Sequence, residues 1–154
     1  MSSDGFIRIS NTPSGKAALT EFLNSLKVGR ESFRYFLNRP IDVIQTHETT
    51  LLLRVSDKIV AYGHLEQEDD KLWLGIAVGD AFVGQGWGKV MMDELISEAA
   101  SRKFQAIFLR VDIDNLAGIR LYQKMGFHIV EEEDVTGSLL MNRPITTDDL
   151  SNNE

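Results

Sequence analysis

The apolar positions of this chain follow a helical period in some stretches and the pattern of strands in others. Helical spacing predicts helices over residues 16–27 and 31–37, from the glycine turn at 84–88 to about residue 103, and from Asn115 to Gly126. Short runs of apolar and β-branched residues between turn residues predict strands at 6–9, 50–55, 59–66, 71–78, 106–111, 127–130 and 138–141. This order predicts one α/β domain with a mixed sheet over residues 1–145. The acidic tail, residues 146–154, is expected to be frayed.

Composition narrows the class of protein. The 154 residues are 43% hydrophobic and 25% charged, which is typical of one globular domain. Cysteine is absent, so disulfides, thiolate metal sites and a cysteine nucleophile are excluded, and no metal is expected. The net charge of -7 argues against nucleic acid or anionic membranes as partners. With no leader-like segment and no long apolar run, we expect a cytoplasmic protein.

A glycine-rich turn, Gly84-Gln85-Gly86-Trp87-Gly88, lies between an apolar strand and an amphipathic helix. Glycines let backbone N–H groups approach an anion, and the start of a helix favours negative charge, so a pyrophosphate suits this turn. The Walker A pattern fails, because Val83 stands at its first glycine and Val90 at its Ser/Thr. The dinucleotide pattern also fails, because the third glycine comes one residue early.

Together with a second motif, this turn resembles the GNAT superfamily of acyl-CoA-dependent N-acetyltransferases. The second motif runs from Asn115 through Ala117, Ile119 and Leu121-Tyr122 to Lys124-Met125-Gly126-Phe127. The family's loop begins with Gln or Arg where this chain has Val83. The resemblance implies a GNAT-like fold: a mixed, mostly antiparallel twisted sheet of about seven strands, flanked by about four helices. It also implies that splayed central strands bind coenzyme A.

The same resemblance implies a set of cofactor contacts. The strand backbone would pair with the pantetheine arm and stabilise the oxyanion, the turn would hold the pyrophosphate, and the second motif would add contacts to coenzyme A. The residues concerned are Ile76, Ala77 and Val78 on the strand; Val83, Gly84, Gln85, Gly86, Trp87, Gly88 and Lys89 on the turn; and Asn115, Ala117 and Lys124 in the second motif. Lys89 is equally well explained as a solvated surface lysine.

The sequence indicates one candidate for the catalytic acid and several for the catalytic base. The resemblance makes Tyr122 the acid that protonates the leaving thiolate, as a phenol with a pKa near ~10 can do. For the base, His64 and Glu66 share one face of a strand. Asp112 and a water chain without a single base are alternatives. Since cysteine is absent, we expect direct transfer of the acetyl group in a ternary complex.

The segment after the first predicted helix is the candidate acceptor region. Arg30, Arg34 and Arg39 alternate with the aromatic residues Phe33, Tyr35 and Phe36. Arginine pairs with phosphate or carboxylate, so Arg30, Arg34 and Tyr35 are predicted to bind an amine that carries an anionic group, such as an amino sugar nucleotide or an amino acid. The alternative is an amphipathic helix with the arginines on its solvent face.

We therefore expect an enzyme that transfers an acetyl group from acetyl-CoA to a small-molecule amine. A non-catalytic acyl-CoA-binding module and a protein N-acetyltransferase are the alternatives. In the family, dimers form through the last strands, which suggests a homodimer through residues 138–141.

Overall fold

The structure, a computed structural model, describes residues 4–27, 33, 35–131 and 137–151. Its strands are β1 (Gly5–Arg8), β2 (His47–Val55), β3 (Lys58–Glu68), β4 (Lys71–Val78), β5 (Ala106–Asp112), β6 (His128–Glu131) and β7 (Ser138–Pro144). Its α-helices are α1 (Pro13–Ser25), α2 (Trp87–Ser101), α3 (Leu116–Lys124) and α4 (Thr147–Ser151). None of the helices in these ranges is long and apolar enough to cross a membrane.

The strands form one seven-stranded sheet in the order β1-β2-β3-β4-β5-β7-β6. Two tight turns build its β2-β3-β4 meander. Ser56 and Asp57 have φ angles of 52° and 64°, and Asp69 and Asp70 have 53° and 66°. Two consecutive positive φ values give the turn that matches the twist of a hairpin, and aspartate tolerates this conformation.

The sheet opens between β4 and β5, its one parallel pair. These strands share a single register pair, Trp73 with Phe108. Beyond it, β4 stays paired with β3 up to Val78, while β5 stays paired with β7 up to Asp112. The two strands therefore separate toward their C-terminal ends and leave a gap in the middle of the sheet.

The sheet is covered on both faces because alternate residues of each strand point to opposite sides. On one face, Leu19 and Phe22 of α1 pack with Leu52 and Tyr62. On the other, α2 packs closely, since a Cβ placed on Gly63 would lie 2.7 Å from the sulfur of Met91. The buried apolar residues of this second face include Leu51, Leu65, Met91, Met92, Leu95, Ile107 and Leu109.

The predicted fold class is confirmed, with seven strands and a mostly antiparallel sheet. Some boundaries differ. Helix α1 begins at Pro13, because Thr12 accepts a hydrogen bond from the Gly15 N–H and Pro occupies the first turn. Of the helix predicted at 31–37, the described stretch Tyr35–Leu37 is a 3-10 turn, and residues 31, 32 and 34 lie outside the described residues.

At the C-terminal end, the expectation of a frayed tail changes. Residues 147–151, expected to be frayed, form α4. The carboxylate of Asp149 explains this, because it accepts hydrogen bonds from Arg143 at 2.8 and 2.9 Å and from the Thr146 N–H at 2.8 Å. The segment suggested for dimer contact, 138–141, lies on β7, which pairs with β5 throughout this range and with β6 at Leu140 and Met141. A homodimer through these residues stays a prediction.

Candidate active site

The glycine turn leads into α2 with its backbone amides open. Gly84 and Gly86 have φ angles of 76° and 89°, which favour glycine. Gly86 caps the helix without any side-chain hydrogen bond, so the first N–H groups of α2 are not satisfied by a capping side chain. Nothing lies within 4 Å of a Cβ placed on either glycine. The turn is therefore shaped to accept an anion at the start of a helix.

Beside this turn lies a cavity of about 380 Å³, which we name the cofactor cavity. Strand β4, the start of α2 and helix α3 enclose it next to the gap in the sheet. Its lining is Phe33, Ile76, Ala77, Val78, Asp80, Val83, Gly88, Asn115, Gly118, Leu121 and Tyr122. Six of these were predicted cofactor residues: Ile76, Ala77, Val78, Val83, Gly88 and Asn115.

The other predicted cofactor residues lie outside this lining. Gly84, Gln85, Gly86 and Trp87 form the adjoining turn, where the Trp87 indole N–H donates to the Gln85 side chain at 3.2 Å. Lys89 is exposed and pairs with Asp93 at 3.0 Å, as a surface lysine would. Ala117 and Lys124 are exposed residues of α3.

Asn115 holds the start of α3. Its Oδ1 accepts a hydrogen bond from the Gly118 N–H at 3.0 Å, which is a helix cap. A Cβ on Gly118 would lie 2.9 Å from the Asn115 side-chain carbon Cγ, so the cap needs glycine there. The cap places the Asn115 side chain at the wall of the cofactor cavity.

Tyr122 lies where the cofactor cavity meets a second one. Its half-buried ring packs edge-on against Phe127 at 6.0 Å. Burial raises the pKa of Tyr122 to about 12. The phenol is therefore protonated at neutral pH and able to donate a proton.

The second cavity, which we name the acceptor cavity, has a volume of about 470 Å³. It shares Phe33, Ile76 and Tyr122 with the cofactor cavity, so the two meet at the gap between β4 and β5. Its remaining lining is Tyr35, Arg39, His64, Glu66, Glu68, Asp69, Trp73, Leu74, Gly75, Leu109, Arg110, Asp112 and Ser138. Aromatic rings and charged groups of both signs therefore face the same space.

Glu66 is held at both carboxylate oxygens. The Tyr35 hydroxyl donates to Oε1 at 2.7 Å, and the Thr46 hydroxyl lies 2.9 Å from Oε2. The strand register brings these elements together, because Glu66 pairs with His47 on β2 and with Trp73 on β4. Glu66 is only 9% exposed, yet it reaches the acceptor cavity.

His64 is more deeply enclosed, with 2% exposure. Its Nδ1 lies 2.6 Å from the Tyr62 hydroxyl, and its ring stacks on His47 at 4.3 Å. Burial, then the neighbouring His47, lowers the pKa of His64 well below its ordinary value. His64 is therefore a neutral imidazole whose charged form is disfavoured.

His47, His64 and Glu66 form one cluster of potential metal ligands, with ligand atoms within 4.8 Å of one another. Among the described residues, this is the one group of three side chains that could hold a metal ion. Hydrogen bonds to Tyr35, Tyr62, Thr46 and Thr50 already engage both His47 nitrogens, both Glu66 oxygens and Nδ1 of His64. The cluster is thus built as a hydrogen-bond network.

The predicted acceptor residues are only partly described. Arg30 and Arg34 lie outside the described residues. Tyr35 lines the acceptor cavity, and the Arg39 guanidinium stands 4.2 Å over its ring while donating to the Tyr35 carbonyl at 2.9 Å. Asp112, the other candidate base, also lines this cavity.

Sequence reasoning missed Thr46, His47, Trp73 and Arg110 as members of the site. A signal for Trp73 exists, since a two-residue turn at Asp69-Asp70 sets the hairpin register and brings Glu66 opposite Trp73. His47 precedes the strand predicted at 50–55, so no pattern marked it.

With this geometry, comparison with known proteins gives the family. Residues 16–127 match the Acetyltransferase (GNAT) family, and the chain belongs to it. The resemblance carried by the two motifs is thereby confirmed.

Similar proteins extend the comparison. The chain is 32% identical over 78 residues to a spermine/spermidine N(1)-acetyltransferase of Bacillus subtilis, covering 49% of this chain and 51% of that protein. It is 32% identical over 79 residues to a [ribosomal protein bS18]-alanine N-acetyltransferase of Salmonella typhimurium, covering 51% and 53%. The match thus spans about half the length of these relatives. A Salmonella typhimurium protein solved with its cofactor acetyl-CoA has the same fold, with a TM-score of 0.73 at 16% identity over 92% of this chain and 94% of that one.

Proposed function

We propose that this protein transfers an acetyl group from acetyl-CoA to a primary amine of a small molecule. One observation carries the proposal: the cofactor and acceptor cavities meet at the gap between β4 and β5, beside Tyr122. A thioester reaching this gap from one side would face an amine entering from the other. Holding both reactants in this way makes direct transfer efficient.

The cofactor cavity and the adjoining glycine turn suit acetyl-CoA. The open amides at the start of α2 would take its pyrophosphate, and the free edge of β4 at Ile76, Ala77 and Val78 would pair with the pantetheine arm. A backbone N–H of this strand would also stabilise negative charge on the thioester oxygen.

In the proposed reaction, the amine nitrogen bonds to the acetyl carbon while the carbon–sulfur bond breaks. Tyr122 gives its proton to the leaving sulfur, which balances the charge on the thiolate. Glu66 takes the proton that the amine loses, because its carboxylate lines the acceptor cavity and the Tyr35 hydroxyl orients it. His64 is the weaker base, since its environment opposes the imidazolium form.

For the acceptor, we propose an amine that carries an anionic group, such as an amino sugar nucleotide or an amino acid. Arg39 and Arg110 line the acceptor cavity and could pair with phosphate or carboxylate. Trp73 and Tyr35 offer flat surfaces for a ring, and Glu68 and Asp69 could accept hydrogen bonds from hydroxyl groups.

A polyamine is the second candidate. Four carboxylates line the acceptor cavity against two arginines: Glu66, Glu68, Asp69 and Asp112. Such a lining also suits a substrate with several positive charges, as the similarity to a spermine/spermidine N(1)-acetyltransferase suggests. The third candidate acceptor is the N-terminus of a protein. It is suggested by the similarity to a [ribosomal protein bS18]-alanine N-acetyltransferase.

The test is a turnover screen with acetyl-CoA, in which release of the free thiol is measured for each amine. The panel contains amino sugar nucleotides, amino acids, polyamines and alanine-initiated peptides. We expect the highest kcat/KM with an anionic amine. Equal activity with plain polyamines would contradict the anionic group, and tight binding of acetyl-CoA without turnover would point to a binding module.

A further inference from the structure

We propose that Tyr35 is a positioning residue, which aims the Glu66 carboxylate at the amine and is itself held in that role by His47. The inference rests on the proposed function, because it assigns a task within that reaction. The Tyr35 hydroxyl lies between two partners, 2.7 Å from Glu66 Oε1 and 2.9 Å from His47 Nε2.

Counting protons gives the direction of these bonds. An ionised carboxylate only accepts hydrogen bonds, so Tyr35 must donate its single proton to Glu66. His47 must then donate through its Nε2–H to the Tyr35 oxygen. Its Nδ1, 2.8 Å from the Thr50 hydroxyl, is left to accept. The chain therefore runs from Thr50 through His47 and Tyr35 to Glu66, with every donor pointing toward the carboxylate.

The ring of Tyr35 is held independently of its hydroxyl. It packs at 4.3 Å from the His64 ring and at 4.8 Å edge-on to Phe36, with the Arg39 guanidinium over its face. A phenylalanine would keep these contacts and lose only the hydrogen bonds. Tyr35→Phe thus isolates the positioning role.

The orientation of the Glu66 carboxylate matters for proton transfer. Without its hydrogen-bond partners, this carboxylate could adopt more than one orientation. With Oε1 bound by Tyr35 and Oε2 beside Thr46, the carboxylate is held in one orientation at the wall of the acceptor cavity. General bases act only within hydrogen-bond reach of the proton they remove. Loss of the Tyr35 bond should therefore lower kcat rather than acceptor binding.

Charged and titratable groups surround this carboxylate on several elements. They are Tyr35 and Arg39 in the segment after α1, His47 on β2, Tyr62, His64 and Glu68 on β3, and Arg110 and Asp112 on β5. Any pH profile of the variants must be read against all of them. Tyr35 donates a hydrogen bond directly to Glu66, at 2.7 Å.

The kinetic test compares Tyr35→Phe with Tyr62→Phe, which removes a buried tyrosine hydroxyl that contacts His64 and not Glu66. We expect Tyr35→Phe to lower kcat about tenfold or more, within the range of general base catalysis, with acceptor KM changed less than about twofold. Tyr62→Phe should lower kcat less than Tyr35→Phe does, because its hydroxyl contacts His64 rather than Glu66.

A double mutant links the effect to Glu66. In a Glu66→Gln background, Tyr35→Phe should cause no further loss of kcat, because the two residues act as a unit. Unchanged kcat in Tyr35→Phe, or additive losses in the double mutant, would overturn the proposal. A larger loss in Tyr62→Phe would overturn it as well and move the role to His64.

A second measurement does not need activity. Nitrogen NMR of the histidine rings in the whole protein should show His47 as the neutral Nε2–H tautomer. The Nδ1–H tautomer would mean that Tyr35 donates to His47 instead, and would overturn the proposal. Absence of turnover with every amine would contradict the proposed function, whereas the tautomer decides the direction of the hydrogen bonds in either case.

Discussion

The two cavities that meet at the gap are built in different ways. The glycine turn beside the cofactor cavity uses backbone amides, glycines and a helix start, all from residues close together in the chain. The acceptor cavity uses side chains that arrive from distant segments, with Tyr35, His47 and Glu66 on three different elements. A backbone site tolerates side-chain variation, whereas a side-chain network depends on each member. We therefore expect the acceptor side to carry the specificity of the proposed reaction.

Tyr122 lines both cavities and is the proposed acid, so its change should have the largest effect. We expect Tyr122→Phe to lower kcat by roughly 10²- to 10⁴-fold, because the leaving thiolate loses its acid. Binding of acetyl-CoA, measured by calorimetry, should stay within about twofold. A variant with unchanged kcat would show that solvent protonates the thiolate.

Gly75→Ala tests the acceptor side. A Cβ at this position would lie 2.8 Å from Nε2 of His64, so the imidazole must shift. We expect a loss of about 1–3 kcal/mol in the free energy of unfolding and a raised acceptor KM.

Gly63→Ala is the matched control for this change. It lies on the neighbouring strand and crowds Met91 on the opposite face. Thermal unfolding should detect both variants, but only Gly75→Ala should change acceptor KM. Equal changes in KM would mean that the two faces are coupled.

Gly86→Ala tests the cofactor side. At a φ of 89°, alanine is strained by roughly 1–2 kcal/mol, and relief of that strain would reshape the turn. We expect a higher KM for acetyl-CoA, with acceptor KM unchanged. Gly126→Ala, at a φ of 96° after α3, should lose similar stability without changing either KM.

The smallest expected effect is a pH dependence of stability from the acceptor side. Burial lowers the pKa of His47 to about 4, against about 6.5 in the unfolded chain. The unfolded state therefore binds more protons between these values, so this contribution is present above pH 6.5 and is lost as the pH falls toward 4. His47→Gln should flatten the fall in melting temperature between pH 7 and pH 5. An identical slope in both proteins would assign the effect to other groups.

Local patterns predicted much of this molecule. The β2-β3-β4 meander followed from β-branched runs and turn residues, and α3 followed from the Asn115 cap and Gly126. The glycine turn was also predictable, because a few adjacent glycines indicate positive φ angles and backbone amides that can approach an anion. The helix predicted at 31–37 was wrong at Tyr35–Leu37, because apolar spacing there reflects rings that pack on Tyr62 rather than a helix face.

By itself, the sequence determined the order of the elements, the glycine turn and the residues that carry the family resemblance, which implied splayed central strands. These depend on neighbours a few positions apart, and such interactions are visible in the chain. Only the tertiary structure placed the separation of β4 and β5 after Trp73 and brought Tyr35 and His47 together at Glu66. These contacts join positions 12 and 31 residues apart, and strand register and packing, rather than local propensity, bring them together.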